Sequence, residues 1–468
     1  MNSADQNSSA TSEFHPVLSF TRFTSRKPAR LSKHFSLVGN VLDKQGGGNM
    51  TDGIAEKLTV TLAEFTALLP TLKPSQACSY GIAQHDTARV VVVGAVSTSA
   101  DGDRPVIART RDYFTWPAGA GVMMLDYDAP ANGAPLDMHR LRDALAMACL
   151  PLDAAPAIWR PSASSCIGIK GSAELRGIAG QRIYIPVIDA SDLSRAGKVL
   201  FDRLWLAGYG RYEVSKSGVF MARSPIDASV FQPERLDFCG GASLGAGLEQ
   251  HLPDPILFNP NAPYFDTRAA LPDLSDDERA TLAKLRESLK TPELLAEQAR
   301  VKEAWIATRV NERISALPEP AQEAIRPKLE ATYRQAVEGG WLAPQFELTV
   351  KAKGSKTISK ITVGAALAQK DKYHEVTCLD PLEPDYEGGR FVGWLNLKHK
   401  PPYITSQAHG GTQYSLGVEP AAAPGPSISF TPAPGSKSRQ VPDDDAPADM
   451  PEWFADIPDS DEPAFTGG

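Results

Sequence analysis

The chain has no C-x-x-C pair; its five cysteines (Cys78, Cys149, Cys166, Cys239, Cys378) are scattered. That spacing speaks against a disulfide framework or a cysteine-rich zinc site. Long apolar runs are also missing: stretches such as Val90–Val93 and Val122–Leu125 are far too short to cross a bilayer. The N-terminus is polar and carries no apolar core of a secretory signal. These absences predict a soluble, cytoplasmic protein with no membrane partner. Gly354-Ser355-Lys356-Thr357 resembles a fragment of a P-loop but lacks its G-x-x-x-x-G-K-[ST] spacing, so no nucleotide-driven motor is expected. There is no internal repeat.

What is present is a chain of 468 residues, 42% of them hydrophobic, enough for two or three domains with cores of their own. Residues 441–468 hold nine acids and no Lys or Arg, so removing them from a net charge of -8 leaves residues 1–440 at about +1. The acidity is a property of the tail. A near-neutral body is compatible with a local basic groove for nucleic acid but does not advertise one.

Residues 1–12 are Ser/Asn-rich and predict disorder. From Leu18 to Val41, Arg22, Arg26, Lys27, Arg30, Lys33 and His34 are interleaved with Phe20, Phe23 and Phe35. Basic residues among aromatics suit contact with nucleic-acid backbone and bases; a small β-hairpin with a solvated face fits equally well. Patterning predicts a helix over 58–72, a Val-rich strand over 90–96, strands over 121–128 and 181–188, and a helix over 136–150. A further helix over 192–206 would be capped by Ser191 and closed near Gly208. This alternation implies α/β or α+β layers. Ser275-Asp276-Asp277-Glu278 fits a capping box and Thr291-Pro292 an N-cap with Pro behind it, so 275–340 reads as helical. Residues 345–417 turn strand-like, with 346–350 and 361–363 alternating. Beyond about Glu419 the chain is Pro/Ala/Ser-rich and then acidic, which predicts disorder.

The sharpest local feature is Val122-Met123-Met124-Leu125-Asp126-Tyr127-Asp128. Residues i and i+2 of a strand project from one face, so Asp126 and Asp128 would present two carboxylates at a strand end. Cations would relieve their repulsion, and hard oxygen ligands favour Mg²⁺ or Mn²⁺. Two such ions can activate a 3′-hydroxyl and stabilise a leaving pyrophosphate. A solvated strand end fits D-x-D as well. Asp227, isolated in the apolar stretch around Ile226, adds a third carboxylate; a cap or an ion pair to Arg223 or Arg235 is its other reading.

Taken in order, M-L-D-Y-D-A-P (124–130), P-S-A-S-S (161–165), G-Q-R-I-Y-I (180–185), R-L-W-L-A-G-Y-G-R-Y-E-V-S-K-S-G (203–218) and I-D-A-S-V-F-Q-P-E-R-L-D-F (226–238) resemble the archaeo-eukaryotic primase-polymerase superfamily. The branch is that of plasmid, phage and integrated-element replication primases. The resemblance covers roughly residues 15–250. It implies an α+β fold: a primase-polymerase core with an RRM-like sheet and flanking helices, then a helical module, a small β-rich segment and a disordered acidic tail. The corresponding spans are 1–14 disordered, 15–75 an N-terminal β/α segment, 76–255 the catalytic core, 256–345 helical, 346–418 β-rich and 419–468 tail.

The resemblance further implies that Asp126, Asp128 and Asp227 are catalytic and hold two Mg²⁺ or Mn²⁺ ions. The implied partners are a single-stranded DNA template and nucleoside triphosphates. The family's second motif ends in a His that contacts the nucleotide's phosphates, and here Arg182 stands in its place. Arg binds phosphate well but does not exchange a proton near neutral pH. Ser164 and Ser165, with Ser162, form a polar turn suited to a triphosphate or to an ordinary loop. Lys216 is a candidate for phosphate or template contact, or a solvated hairpin Lys. Arg235 and Asp237 read as a structural pair.

The stretch from Cys378 to Gly411 is similar to a segment that precedes the helicase in primase-helicases, so a separate helicase is expected as partner. Asp380, Glu383 and His409 offer a weaker second metal set, with turns and packing as the simpler account. The tail segment Asp449–Ile457 mixes acids with Trp453 and Phe454, which suits docking onto a replication partner or mere solubilisation. The predicted activity is that of a DNA primase-polymerase in replication of a plasmid, phage or mobile element. A catalytically inactive replication-initiation protein on the same fold, or a two-metal nuclease, are the alternatives.

Overall fold

The computed structural model describes residues 17–417 apart from 40, 49, 131–133, 173, 316, 353–356 and 409–410. Both termini predicted as disordered, and the acidic tail, lie outside the described residues. The fold is mixed α+β with several sheets. No described helix is long and apolar enough to cross a membrane.

A five-stranded sheet opens the chain, in the order Gln76–Ser79, Leu18–Lys27, Asp52–Val60, Thr87–Val91, Val106–Ala108. Alternation along Leu18–Lys27 sends Phe20 and Phe23 to opposite faces of the sheet, and each is fully buried in a core of its own. Phe35, on a later strand, is fully buried too. The three aromatics are therefore core, and the expectation that they stack on bases is corrected. Arg22 is held by Glu56 at 2.9 Å.

The helix expected over 58–72 begins only at Leu62. Thr61 and Glu64 form a capping box there, while the residues before it belong to the strand Asp52–Val60. The strand expected over 90–96 likewise ends at Val91 and gives way to a 3₁₀ stretch, Val93–Thr98. Val92 and Val93 are exposed, so this Val run marks the end of burial rather than a buried strand.

The second sheet has the order Gly121–Asp128, Gly180–Val187, Ala157–Pro161, Ile256–Phe258, antiparallel throughout. Every residue from Gly121 to Leu125 is buried, as expected of a strand covered on both faces. The helices Met138–Ala148 and Leu193–Leu204 share this core through Leu141, Leu145, Leu193 and Leu200. Tyr184, on the strand Gly180–Val187, meets Phe65 edge-on at 5.6 Å, and Phe65 meets Phe20 at 5.0 Å. These aromatic contacts join the two sheets. The cap expected of Ser191 belongs instead to Asp189, whose carboxylate accepts from the Ser191 N–H at 3.0 Å. Gly208, at φ 87°, closes the helical segment as expected.

The strands His34–Val38 and Val41–Gln45 form an antiparallel ribbon, with Ser243–Leu244 pairing parallel to the first. A three-stranded set, Glu174–Arg176, Ile167–Ile169 and Leu248–Gln250, stands beside it.

The capping box at Ser275 and the cap at Thr291 open the helices Asp276–Ser288 and Pro292–Ile314; Glu319–Gly339 follows. Leu282 of the first packs into the core of the second sheet. The other two pack Trp305, Val310 and Tyr333 onto a seven-stranded C-terminal sheet, meeting Phe346, Leu348 and Ile404. Helices 292–339 thus share a core with the sheet that follows them. Within that sheet Thr362 ends a strand and caps the helix Val363–Ala368, so the alternation expected to run through Val363 stops one residue early.

Candidate active site

The strand Gly121–Asp128 lies at one end of its sheet and delivers Asp126 and Asp128 two positions apart at its C-terminal end. Asp126 is half-buried and Asp128 exposed. The segment Ile226–Asp227 runs along the strand's free edge: the Asp227 N–H donates to the Asp126 carbonyl at 3.0 Å. All three predicted carboxylate residues are therefore brought to one strand end. Asp227 also caps the short turn Ala228–Val230, accepting from the Ser229 N–H at 2.8 Å and the Ser229 hydroxyl at 2.9 Å.

Arg182 sits directly opposite Asp126 in the antiparallel register. Its guanidinium touches the Asp126 carboxylate and also donates to Asp237 at 3.3 Å. Asp237 is buried, and its other oxygen accepts from Tyr80 at 2.7 Å and Tyr184 at 2.9 Å. Burial and the Asp237 charge push both phenols well above their ordinary values, so they remain neutral donors. The partner of Asp237 is thus Arg182, not the Arg235 its sequence neighbourhood pointed to. That relation was invisible in the sequence because it depends on tertiary packing: Asp237 bridges to Cys78 of the first sheet, and Arg182 reaches it from the second.

The serine turn adjoins the same strand end. A Cβ on Gly180 would lie 2.9 Å from the Tyr127 carbonyl and 3.0 Å from both an Asp128 carboxylate oxygen and the Ser162 hydroxyl, so a side chain here would crowd the strand end. Ser162 bonds both Ser164 and Ser165 at 3.2 Å, and Ser165 accepts from the Ala179 N–H at 3.0 Å. All three serines are buried; their hydroxyls organise the turn. Arg176 donates to the Ser164 carbonyl at 2.8 Å and lies over the Phe35 ring at 5.9 Å, tying the turn to the ribbon 34–45. Sequence reasoning passed over Arg176 and Lys44, and counted Lys33 only as one of a run of basic residues. Both lysines feel the charge of Asp128.

Lys216 goes elsewhere. It crowns the hairpin Arg211–Val214/Phe220–Arg223, pairs with Asp385 at 2.7 Å, and donates its N–H to Glu383 at 3.1 Å. Among the described residues no contact links it to Asp126, Asp128 or Arg182.

Asp380 and Glu383 also lie by this hairpin, in a cavity of about 50 Å³. Asp380 accepts from Ser406 at 2.6 Å, from Tyr414 at 3.2 Å and from the N–H groups of Leu382 and Glu383 at 2.9 and 2.7 Å. It organises a loop. His409 lies outside the described residues.

Three carboxylates at one strand end have the right donor chemistry for Mg²⁺ or Mn²⁺. They do not stand as a ready ligand shell. Among the described residues no three His, Cys, Asp or Glu side chains are grouped as metal ligands. Arg182 takes one oxygen of Asp126, and Ser229 bonds both oxygens of Asp227. No family model, no curated protein and no solved structure matches this chain.

Proposed function

We propose that the chain is a template-directed nucleotidyltransferase of the primase-polymerase kind, acting on single-stranded DNA with nucleoside triphosphates. The observation that carries this reading is the adjacency of Asp227 to Asp126 across a backbone hydrogen bond of 3.0 Å, with Asp128 two residues on. The order of elements supports it: strand 121–128, helix 138–148, strands 157–161 and 180–187, helix 193–204, then the Asp227 segment on the open edge of the first strand. An RRM-like sheet is part of this reading, as the sequence resemblance implies.

Asp126, Asp128 and Asp227 would hold Mg²⁺ or Mn²⁺, which when bound lowers the pKa of a primer hydroxyl and offsets the charge of a leaving pyrophosphate. The chain's own part is to place these acids beside Arg182 and the serine turn that adjoins Gly180. A separate helicase and a partner for the acidic tail belong to the same reading, with replication of a plasmid, phage or mobile element as its setting.

One observation favours a second reading. Arg182 already neutralises Asp126, as in a fold retained for DNA binding after activity is lost. Incubation of the protein with single-stranded DNA, Mg²⁺ or Mn²⁺ and labelled nucleotides separates these. New oligonucleotides that vanish in Asp126→Ala support the transferase. Shortened template supports a nuclease, and binding without products supports the inactive fold.

A further inference from the structure

The residues expected to receive phosphate are largely engaged. Arg182 is held by Asp126 and Asp237, Lys216 by Asp385, and the serine hydroxyls by one another. Three other cations have no acidic partner among the described residues. In the ribbon register Phe35 faces Lys44, and directly opposed residues share a face. Lys33 immediately precedes this strand, and its carbonyl is pinned by the Ser243 N–H at 2.9 Å. Arg176 lies over Phe35 on the same side, oriented by the Ser164 carbonyl. Among the described residues none of Lys33, Lys44 and Arg176 takes part in an ion pair.

Cations gathered with too few counterions repel one another, and an anion relieves that repulsion. Burial pushes the half-buried Lys33 ammonium below its usual value; Asp128 opposes this, while Arg182 and Arg176 add to it. Lys44, exposed as a residue, is lowered by partial desolvation of its ammonium and then by Lys33 and Arg176. The acids acting on both lysines are Asp128 and Glu387. Arg176 holds the Ser164 carbonyl, and the neighbouring Ser162 and the Asp128 carboxylate flank Gly180, so this cluster adjoins the strand end that carries the proposed catalytic acids.

We propose that Lys33, Lys44 and Arg176 form the seat for the polyphosphate of the incoming nucleoside triphosphate, on the ribbon side of Asp128. The inference rests on the transferase reading for the identity of the ligand, but not for the existence of the seat. Arg176 supplies a guanidinium fork already oriented by its carbonyl bond and aromatic contact; the two lysines supply point charges on flexible stems. The ribbon thereby takes over the phosphate contact that Arg182 cannot make while it is bound to Asp126.

Calorimetric titration of the full chain with inorganic tripolyphosphate, and separately with a nucleoside triphosphate, tests this without requiring catalysis. Lys33→Gln/Lys44→Gln is expected to weaken both at least tenfold and to change single-stranded DNA affinity less than threefold. Lys44→Glu alone, at an exposed position that does not threaten folding, is expected to weaken tripolyphosphate by a similar factor. No tripolyphosphate binding by the unmodified chain at millimolar concentration overturns the proposal. So does a loss of DNA affinity with tripolyphosphate binding unchanged, which would make the ribbon a grip for nucleic-acid backbone. Primer synthesis with an unchanged nucleotide KM in both variants removes the seat and leaves the transferase. Loss of tripolyphosphate binding in a chain that synthesises nothing leaves the seat and removes the transferase.

Discussion

A Cβ on Gly197 would sit 2.2 Å from the ring of Phe231. Gly197 lies in the helix Leu193–Leu204, and Phe231 follows the short turn that Asp227 caps. The Asp227 segment is thus fixed from two sides: by its hydrogen bond to Asp126 and by a ring pressed against a helix backbone. Gly197→Ala is expected to cost about 1–3 kcal/mol through overpacking, even though alanine is the better helix former. It should also reduce nucleotide incorporation more than that loss of stability explains, because Phe231 must move and take the Asp227 turn with it. Thermal denaturation and primer synthesis read the two effects. A variant as stable and active as the parent would show that Phe231 does not anchor the segment.

Arg182 compensates two acids at once, one of them buried. Removing one partner of a buried pair leaves an uncompensated charge, at a cost of roughly 3–5 kcal/mol. Arg182→Ala should lose stability on that scale in urea denaturation. Asp126→Asn should lose much less, because Asp237 still holds the guanidinium and Asp126 is half-buried. Equal losses in the two variants would mean that Asp237 contributes little to holding Arg182.

Much of this site was legible in the sequence, for identifiable reasons. The strand 121–128 was read from an unbroken apolar run meeting two acids, because burial on both faces leaves no other pattern there. The helix starts at Ser275 and Thr291 were read because caps are local chemistry. What escaped was set by distant pairing. Asp237 looked like the neighbour of Arg235, yet the packing of the two sheets gives it Arg182. Phe20, Phe23 and Phe35 looked like a base-stacking series, yet two cores absorb Phe20 and Phe23 and a third absorbs Phe35. Arg176 carried no local signal, since its role comes from a ring on another strand.

Lys216 gives a sharper contrast between motif and placement. Its ammonium and the Asp385 carboxylate are both largely exposed, and such pairs contribute about 0–1 kcal/mol. Lys216→Ala is therefore expected to change stability by less than about 1 kcal/mol, and nucleotide affinity by less than threefold. A tenfold loss of nucleotide affinity would place Lys216 at the phosphates after all, with Asp385 released when substrate binds.

The helix that carries Gly197 is tied down at its start by Asp192, and this tie should depend on pH. Asp192 is buried and accepts from Arg195 at 2.7 and 2.6 Å and from the Thr267 hydroxyl at 2.6 Å, with Arg268 at 3.4 Å. Burial alone would raise its pKa. The bonds from Arg195 and Thr267 and the charges of Arg195 and Arg268 outweigh burial, and the carboxyl is held below its ordinary value. A carboxyl depressed in the folded state contributes stability above its unfolded pKa of about 3.9, and that contribution fades as pH falls through the lower folded value. Asp192→Asn keeps the shape and removes the charge. Urea denaturation of parent and variant should therefore show a clear gap at pH 7 that narrows below about pH 4, as the parent's own carboxyl takes up a proton. The comparison cancels the titration of other acids. A gap of constant size down to pH 3 would mean that hydrogen-bond geometry, and not charge, fixes the start of this helix.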